Sequence, residues 1–203
     1  MRRTKQEAEQ TRLAIMAAAL ATFNTRGISS TSLGHIAEAA GVTRGAIYHH
    51  FGDKQALLSA IREDVALPIT DRADFTLLSG EGDPLDRVKR FLLDIYTAVD
   101  EDARTRTACS VMNFKCEYVG ELDGELSEYA RKCERTRKQL VDVYAEAKKR
   151  GQLRKGLAPE IAALDTTVFL TGLIRLGLLD DRGSVVRRHA VELIEAHVAG
   201  RKA

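Results

Sequence analysis

Five side chains able to donate hydrogen bonds are concentrated in the short segment RGAIYHHFGDK, residues 44–54. They are Arg44, Tyr48, His49, His50 and Lys54. Arginine can donate to guanine edges or to phosphate, and tyrosine, histidine and lysine can donate to phosphate. The small residues Gly45 and Ala46 would let the backbone that carries these donors approach base edges closely. Together these residue types predict a surface that binds double-stranded DNA.

Two short helices are predicted to position these donors. Apolar and small residues from Leu33 to Ala40 recur at helical spacing, Thr31 or Ser32 is suited to cap the helix start, and Gly41 follows its end. Thr43 can cap a second helix, in which Ile47 and Phe51 would face inward while the donors face outward. Two short helices joined through a glycine turn form a helix-turn-helix. The alternative is an ordinary surface helix with His50 against the core.

The predicted contact set extends beyond the donors to the caps and the small residues. It consists of Thr31, Ser32, Thr43, Arg44, Gly45, Ala46, Tyr48, His49, His50 and Lys54. The distribution of charge agrees with a DNA-binding surface in this part of the chain, because residues 1–60 contain seven Lys and Arg and only four Asp and Glu. A basic excess beside the predicted motif suits contact with a polyanion.

The remaining chain is predicted to be helical throughout, giving an all-α protein of about nine helices. A helix that follows Asp53 is expected to end before Pro68, and TLLSGEGDP is expected to be a loop. Asp83 and Pro84 predict the next helix start. A 4,3,4,3 apolar spacing from Leu122 to residue 147 predicts a long helix packed along its whole length. The last two helices are predicted to begin at Pro159 and after Ser184, and the first of them has almost no polar face.

Composition excludes several other classes of protein. Hydrophobic residues make up 44% of the 203 residues, which is enough for a buried core, and no membrane span or secretory signal is expected. The chain is therefore expected to be cytoplasmic. Three cysteines at irregular spacing predict reduced thiols. No phosphate loop, nucleophile elbow, Glu-x-x-His repeat or metal-ligand spacing is present, so neither catalysis nor a cofactor or metal is expected.

The segment TSLGHIAEAAGVTRGAIYHHFGDKQALLSAI resembles the DNA-binding segment of TetR/AcrR transcriptional repressors. TKQEAEQTRLAI, GDPLDRV, FKCEYVGEL and TGLIRLGLL resemble the members that control multidrug efflux pumps. The resemblance implies a helix-turn-helix domain at residues 1–52 and a helical-bundle domain for ligand binding and dimerisation at residues 53–203. It also implies a homodimer formed through the last two helices and a palindromic operator.

The resemblance further implies repression relieved by an amphipathic, drug-like inducer. Met and aromatic side chains give adaptable apolar contacts, so candidate ligand-binding residues are Tyr96, Cys109, Met112, Phe114 and Phe169. Alternatively, these residues are ordinary members of the hydrophobic core. Two other functions stay open at this point: a TetR-like regulator of a metabolic operon that responds to a narrow metabolite, and a helical carrier whose DNA binding is incidental.

Overall fold

The computed structural model describes residues 4–116, 123–179 and 185–203, and every regular element in these residues is a helix. The all-α prediction is therefore confirmed. The described residues form ten helices, against about nine predicted: α1 (Lys5–Arg26), α2 (Leu33–Ala40), α3 (Arg44–Phe51), α4 (Lys54–Leu78), α5 (Pro84–Glu101), α6 (Ala103–Phe114), α7 (Asp123–Lys149), α8 (Pro159–Leu179), α9 (Val185–Arg188) and α10 (Ala190–Ala199).

The helices form two compact units that alternate along the chain. The first unit comprises the described parts of Met1–Ala66 and Arg104–Leu126, and the second comprises those of Leu67–Ala103 and Ser127–Ala203. Almost all of α6 therefore packs with the N-terminal helices, although the intervening α5 belongs to the second unit.

The core of the first unit is built around α1. Thr4 caps this helix reciprocally with Glu7, and the apolar residues that follow at helical spacing are fully buried. Helices α2, α3, α4 and α6 each add buried residues to the same cluster. Its members include Ile15, Met16, Phe23, Ile28, Ile36, Ile47, Leu57 and Ile61, with Ala108 and Val111 from α6.

The core of the second unit brings α5 and α7 together with α8 and α10. Asp83 caps α5 and accepts hydrogen bonds from two backbone amides, and Pro84 is the first helical residue, as predicted. Apolar residues of α5 pack against the buried C-terminal half of α7. This cluster includes Leu85, Val88, Phe91, Leu92, Leu140, Val143, Tyr144, Leu173 and Ile194.

Helix α4 does not end before Pro68, and that prediction is wrong. The helix runs from Lys54 to Leu78, so the first part of TLLSGEGDP is helical as well. A proline inside a helix removes one backbone N–H donor, but the residues before and after it can still be buried in a core. Leu57 and Ile61 are buried in the first unit and Leu77 in the second. Packing on both sides explains why this helix tolerates the proline.

Helix α7 is buried over only part of its length, which corrects the prediction of a fully packed helix. Leu126 and Tyr129 are 49% and 52% exposed, whereas Leu140 and Ala147 are buried. Charged residues surround the apolar positions in the N-terminal half, so packing begins only further along the helix. Leu122, the predicted start of the pattern, lies outside the described residues.

The predicted last helix is divided into α9 and α10 at His189, whose backbone is not helical. Ser184, its predicted cap, lies outside the described residues. Helix α8 begins at Pro159 as predicted, and by length and composition alone it is long and apolar enough to cross a bilayer. Five of its apolar residues are 49–63% exposed: Ile161, Leu164, Val168, Leu176 and Leu179.

Candidate DNA-binding site

The start of α2 is fixed by a reciprocal cap. Ser32 Oγ accepts a hydrogen bond from the His35 amide at 3.2 Å, and the Ser32 amide donates to His35 Nδ1 at 3.3 Å. Of the two predicted caps, the structure therefore selects Ser32. His35 occupies the position where glutamate or glutamine usually completes such a cap, and it acts here as the acceptor.

A three-residue turn joins α2 to α3. Gly41 adopts a left-handed conformation with φ 64° and ψ 30°, which a residue with a side chain rarely adopts. The Val42 amide closes the end of α2 by donating to the Ala37 carbonyl at 3.0 Å. Thr43 Oγ1 then accepts from the Ala46 amide at 3.2 Å and caps α3, as predicted. The local geometry is the predicted helix-turn-helix.

Helix α3 buries one face and exposes the other. Ile47 is completely buried in the core of the first unit, whereas Arg44, Gly45, Tyr48 and His49 are exposed. Tyr48 is 50% exposed, and Arg44 Nη2 lies 3.5 Å from its hydroxyl oxygen, at the limit of a hydrogen bond. The inward and outward faces are those predicted from the sequence.

The protein itself does not require glycine at position 45. A Cβ there would meet only Thr43 Oγ1 at 3.7 Å, an ordinary contact, and the backbone is not left-handed. Glycine inside a helix costs roughly 0.5–1 kcal/mol relative to alanine. Since no internal contact explains that cost, the missing side chain favours close approach of something outside the chain.

Ala46 and His50 lie at the margin of this face and are half-buried. The centre of the His50 ring lies 5.5 Å from the centre of the His49 ring and 6.2 Å from the centre of the Phe51 ring. The Arg12 guanidinium carbon lies 5.7 Å from the centre of the Phe51 ring, a cation–π distance that links α1 to the end of α3.

Thr31 is removed from the predicted contact set. Its side chain is 2% exposed, and its hydroxyl donates to the Gly27 carbonyl at 2.7 Å. The prediction that this side chain contacts DNA is therefore wrong, because the side chain is buried and its hydroxyl bonds to the backbone of the segment between α1 and α2.

Lys54 has an internal role that the sequence did not indicate. Its ammonium donates to the Ile28 carbonyl at 3.0 Å and to the Thr31 carbonyl at 3.2 Å. An ammonium has three protons, so one donor is left for the predicted phosphate contact. At the same helix start, Asp53 Oδ1 accepts from the Ala56 amide at 2.7 Å, as expected of a cap.

Comparison with known proteins agrees with this architecture. Residues 15–61 match the family described as bacterial regulatory proteins, tetR family, and residues 83–200 match the C-terminal region of MAATS-type transcriptional repressors. The chain belongs to the TetR family of bacterial regulatory proteins. Members of the TetR family are transcriptional regulators.

Individual TetR-family proteins extend the comparison over nearly the whole chain. The transcriptional regulator TtgR of Pseudomonas putida is 36% identical over 179 residues, covering 88% of this chain and 85% of TtgR. The repressor BepR of Brucella suis is 29% identical, covering 100% and 97% of the two chains. The crystal structure of NalD, the secondary repressor of the MexAB-OprM multidrug efflux pump in Pseudomonas aeruginosa, aligns with a TM-score of 0.85 at 30% identity, covering 98% of each chain.

The predicted ligand-binding residues of this TetR-family chain are divided between its two units. Cys109, Met112 and Phe114 belong to the first unit, where burial raises the pKa of the Cys109 thiol to about 11. Tyr96 and Phe169 belong to the second unit, where Tyr96 is 9% exposed within the core. Their role in ligand binding stays a prediction.

The second unit contains a hydrogen-bonded set of three polar side chains that was not predicted from the sequence. The Tyr144 hydroxyl and Thr166 Oγ1 are 2.6 Å apart, and Thr166 Oγ1 is 3.0 Å from His197 Nε2. Phe169 stacks on the His197 ring with 3.9 Å between ring centres. Burial lowers the pKa of His197 to about 4, so its ring is neutral at pH 7. Phe169 is thus already in contact with a neutral aromatic partner.

Proposed function

We propose that this chain is a ligand-responsive repressor that binds a palindromic operator as a homodimer and controls a multidrug efflux pump. The exposed donor face of α3, set on a capped helix-turn-helix, carries the proposal. NalD, which is similar over 98% of this chain, represses such a pump. This similarity favours efflux control over the metabolic alternative. The protein would act in the cytoplasm, where its operator lies.

The exposed residues of α3 divide into two kinds of DNA contact. Arg44 lies in the first turn of α3 beside Gly45, the place from which a recognition helix reaches base edges. It is assigned to base reading, with Gly45 and Ala46 permitting close approach. Tyr48, His49 and His50, together with Ser32 and Thr43 at the helix starts and the free proton of Lys54, are assigned to the DNA backbone.

The exposed apolar surface of α8 supports the homodimer. Its exposed apolar residues recur at a helical spacing that places them on one side of the helix, and α10 adds Val191 and Leu193, which are 51% and 40% exposed. Several large apolar residues exposed on these two helices are typical of a subunit interface. A two-fold dimer would present its two α3 helices to half-sites about 34–36 Å apart, one turn of DNA.

Release by an amphipathic, drug-like inducer completes the proposal, with Tyr96, Cys109, Met112, Phe114 and Phe169 as candidate contacts. The inducer needs to favour a conformer that does not bind the operator. A preference of about 1.4 kcal/mol for that conformer would weaken repression tenfold. An apolar ligand of moderate size can supply a difference of that magnitude.

Substitutions at Arg44 and Tyr48 test the division of contacts. Arg44→Ala is expected to weaken operator binding by about 1–3 kcal/mol and to relax the preference for one base pair per half-site. Tyr48→Phe removes only a hydroxyl and is expected to weaken binding to all duplexes alike. Fluorescence anisotropy with the operator, its single-base variants and a scrambled duplex measures both effects. Equal losses on specific and scrambled DNA in the Arg44 variant would contradict its base-reading role.

A further inference from the structure

The segment between α1 and α2, residues 27–31, is held from two sides by lysines distant in sequence. We call it the α1–α2 link. On one side, Lys54 at the start of α4 donates to the carbonyls of Ile28 and Thr31. On the other, Lys115 donates through its ammonium to the Asn24 carbonyl, and the Lys115 carbonyl accepts from the Ile28 amide at 3.2 Å.

These contacts satisfy backbone groups that the end of α1 leaves open. The last four carbonyls of a helix have no partner within it. The Gly27 amide bonds to the Phe23 carbonyl at 2.9 Å, and Lys115 supplies the donor for the next carbonyl, that of Asn24. A positive charge is also favourable at this end of a helix because the carbonyl dipoles point toward it. Lys115 therefore acts as a cap supplied from a distant part of the chain.

Lys115 is in turn fixed to α6. Its amide donates to the Val111 carbonyl at 2.9 Å, which continues the hydrogen-bond pattern of that helix. Val111 is 1% exposed within the core of the first unit. At the opposite end of α6, Arg104 Nη2 lies 2.7 Å from Asp64 Oδ2 of α4. Through Lys115, the end of α6 thus makes one hydrogen bond to the last turn of α1 and one to the α1–α2 link.

We infer that Lys115 is a positioning residue for operator binding, an inference that rests on the proposed function. The ammonium of Lys115 holds the last turn of α1 and its carbonyl holds the α1–α2 link that follows, and the link leads directly to Ser32, which caps α2. The same link carries the carbonyls that anchor Lys54 at the start of α4. A displacement of the end of α6 must therefore break the Lys115 bonds or move the segment that places the two helices flanking α3.

Lys115→Met tests the inference, because it removes the ammonium and keeps most of the side-chain stem. Lys115→Arg keeps a donor and a charge, and Lys155→Met removes an equal charge from an exposed site in the second unit. Hydrogen exchange is measured on the free proteins. Affinity is measured for a duplex that the wild type selects from a random pool and for a scrambled duplex. Circular dichroism verifies folding.

Lys115→Met is expected to speed amide exchange across residues 24–36 and to weaken binding of the selected duplex by about tenfold, the effect of one lost charge-assisted hydrogen bond. Binding of the scrambled duplex should not change, since Lys115 is not assigned a DNA contact. Lys115→Arg should restore most of the loss, and Lys155→Met should behave as wild type. If Lys115→Met is unfolded, Lys115→Gln carries the same expectation with a smaller effect.

Two results would overturn the inference. One is unchanged exchange and unchanged affinity for the selected duplex in a folded Lys115→Met protein. The other is an equal loss on selected and scrambled duplexes, which would indicate a direct phosphate contact. Failure of the proposed function is a separate result: the wild type would then select no duplex, while the exchange measurement would still decide whether Lys115 holds the link.

Discussion

Val168→Glu is expected to convert the proposed dimer into monomers and to weaken operator binding by more than about 100-fold. Val168 is 63% exposed in the single chain, so the substitution should leave the fold of one subunit intact. In a dimer formed through α8 and α10, two unpaired carboxylates would enter an apolar interface, which costs several kcal/mol. A monomer presents only one α3 to a two-half-site operator and loses the contribution of the second.

Leu78→Glu is the matched control for this prediction. Leu78 is 62% exposed on α4, which the proposed interface does not include, so a charge there should change neither assembly nor DNA binding. Sedimentation velocity gives the oligomeric state and anisotropy gives the affinity. A Val168→Glu protein that sediments as a dimer and binds the operator normally would exclude this surface as the interface.

Arg87→Met is expected to lower the free energy of unfolding by about 3 kcal/mol. Arg87 is 2% exposed and donates to the Leu77 carbonyl at 3.2 Å, at the end of α4, and to the Glu146 carboxylate of α7. Methionine fills similar space but leaves that carbonyl without its donor. Glu146 keeps a second partner, Arg150, whose Nη2 is 2.5 Å away, so the expected loss is at the lower end for a buried ion pair.

Arg135→Met provides the comparison for Arg87. Arg135 also pairs with a carboxylate, that of Asp74, but its side chain is 64% exposed. An exposed ion pair contributes about 0–1 kcal/mol, so this variant should unfold close to the wild type. Urea unfolding at one fixed protein concentration measures both, since dimer stability depends on concentration. If the free energy of unfolding fell by similar amounts in the two variants, the stabilising role assigned to the buried bonds of Arg87 would be contradicted.

The helix-turn-helix was predictable because its signals are local. Caps, a glycine turn and the spacing of apolar residues all lie within about twenty residues of sequence and agree with one another. The choice between Thr31 and Ser32 was not predictable, because both residue types cap helices. Only the fold shows that the Thr31 hydroxyl is occupied by the Gly27 carbonyl.

The contacts between distant residues were not predictable in this way. The internal bonds of Lys54 were not predicted, because nothing near it in sequence indicates the carbonyls of Ile28 and Thr31. Lys115 contacts Asn24 across 91 residues, a pairing that leaves no local pattern. At Pro68, the local rule predicted a helix end, and burial on both sides of the proline outweighed it. Local rules therefore located the candidate site but not the contacts that hold it in place.

Specific, ligand-sensitive DNA binding by the unmodified protein is the central property expected of this repressor. Fluorescence anisotropy is measured with the duplex upstream of its own gene and with a scrambled duplex, at about 150 mM salt, with and without a panel of amphipathic efflux substrates. We predict tight binding to the native duplex alone and release by several unrelated compounds. Equal, weak binding to both duplexes that no compound alters would contradict the assignment of this chain as an efflux-pump repressor acting at its own promoter.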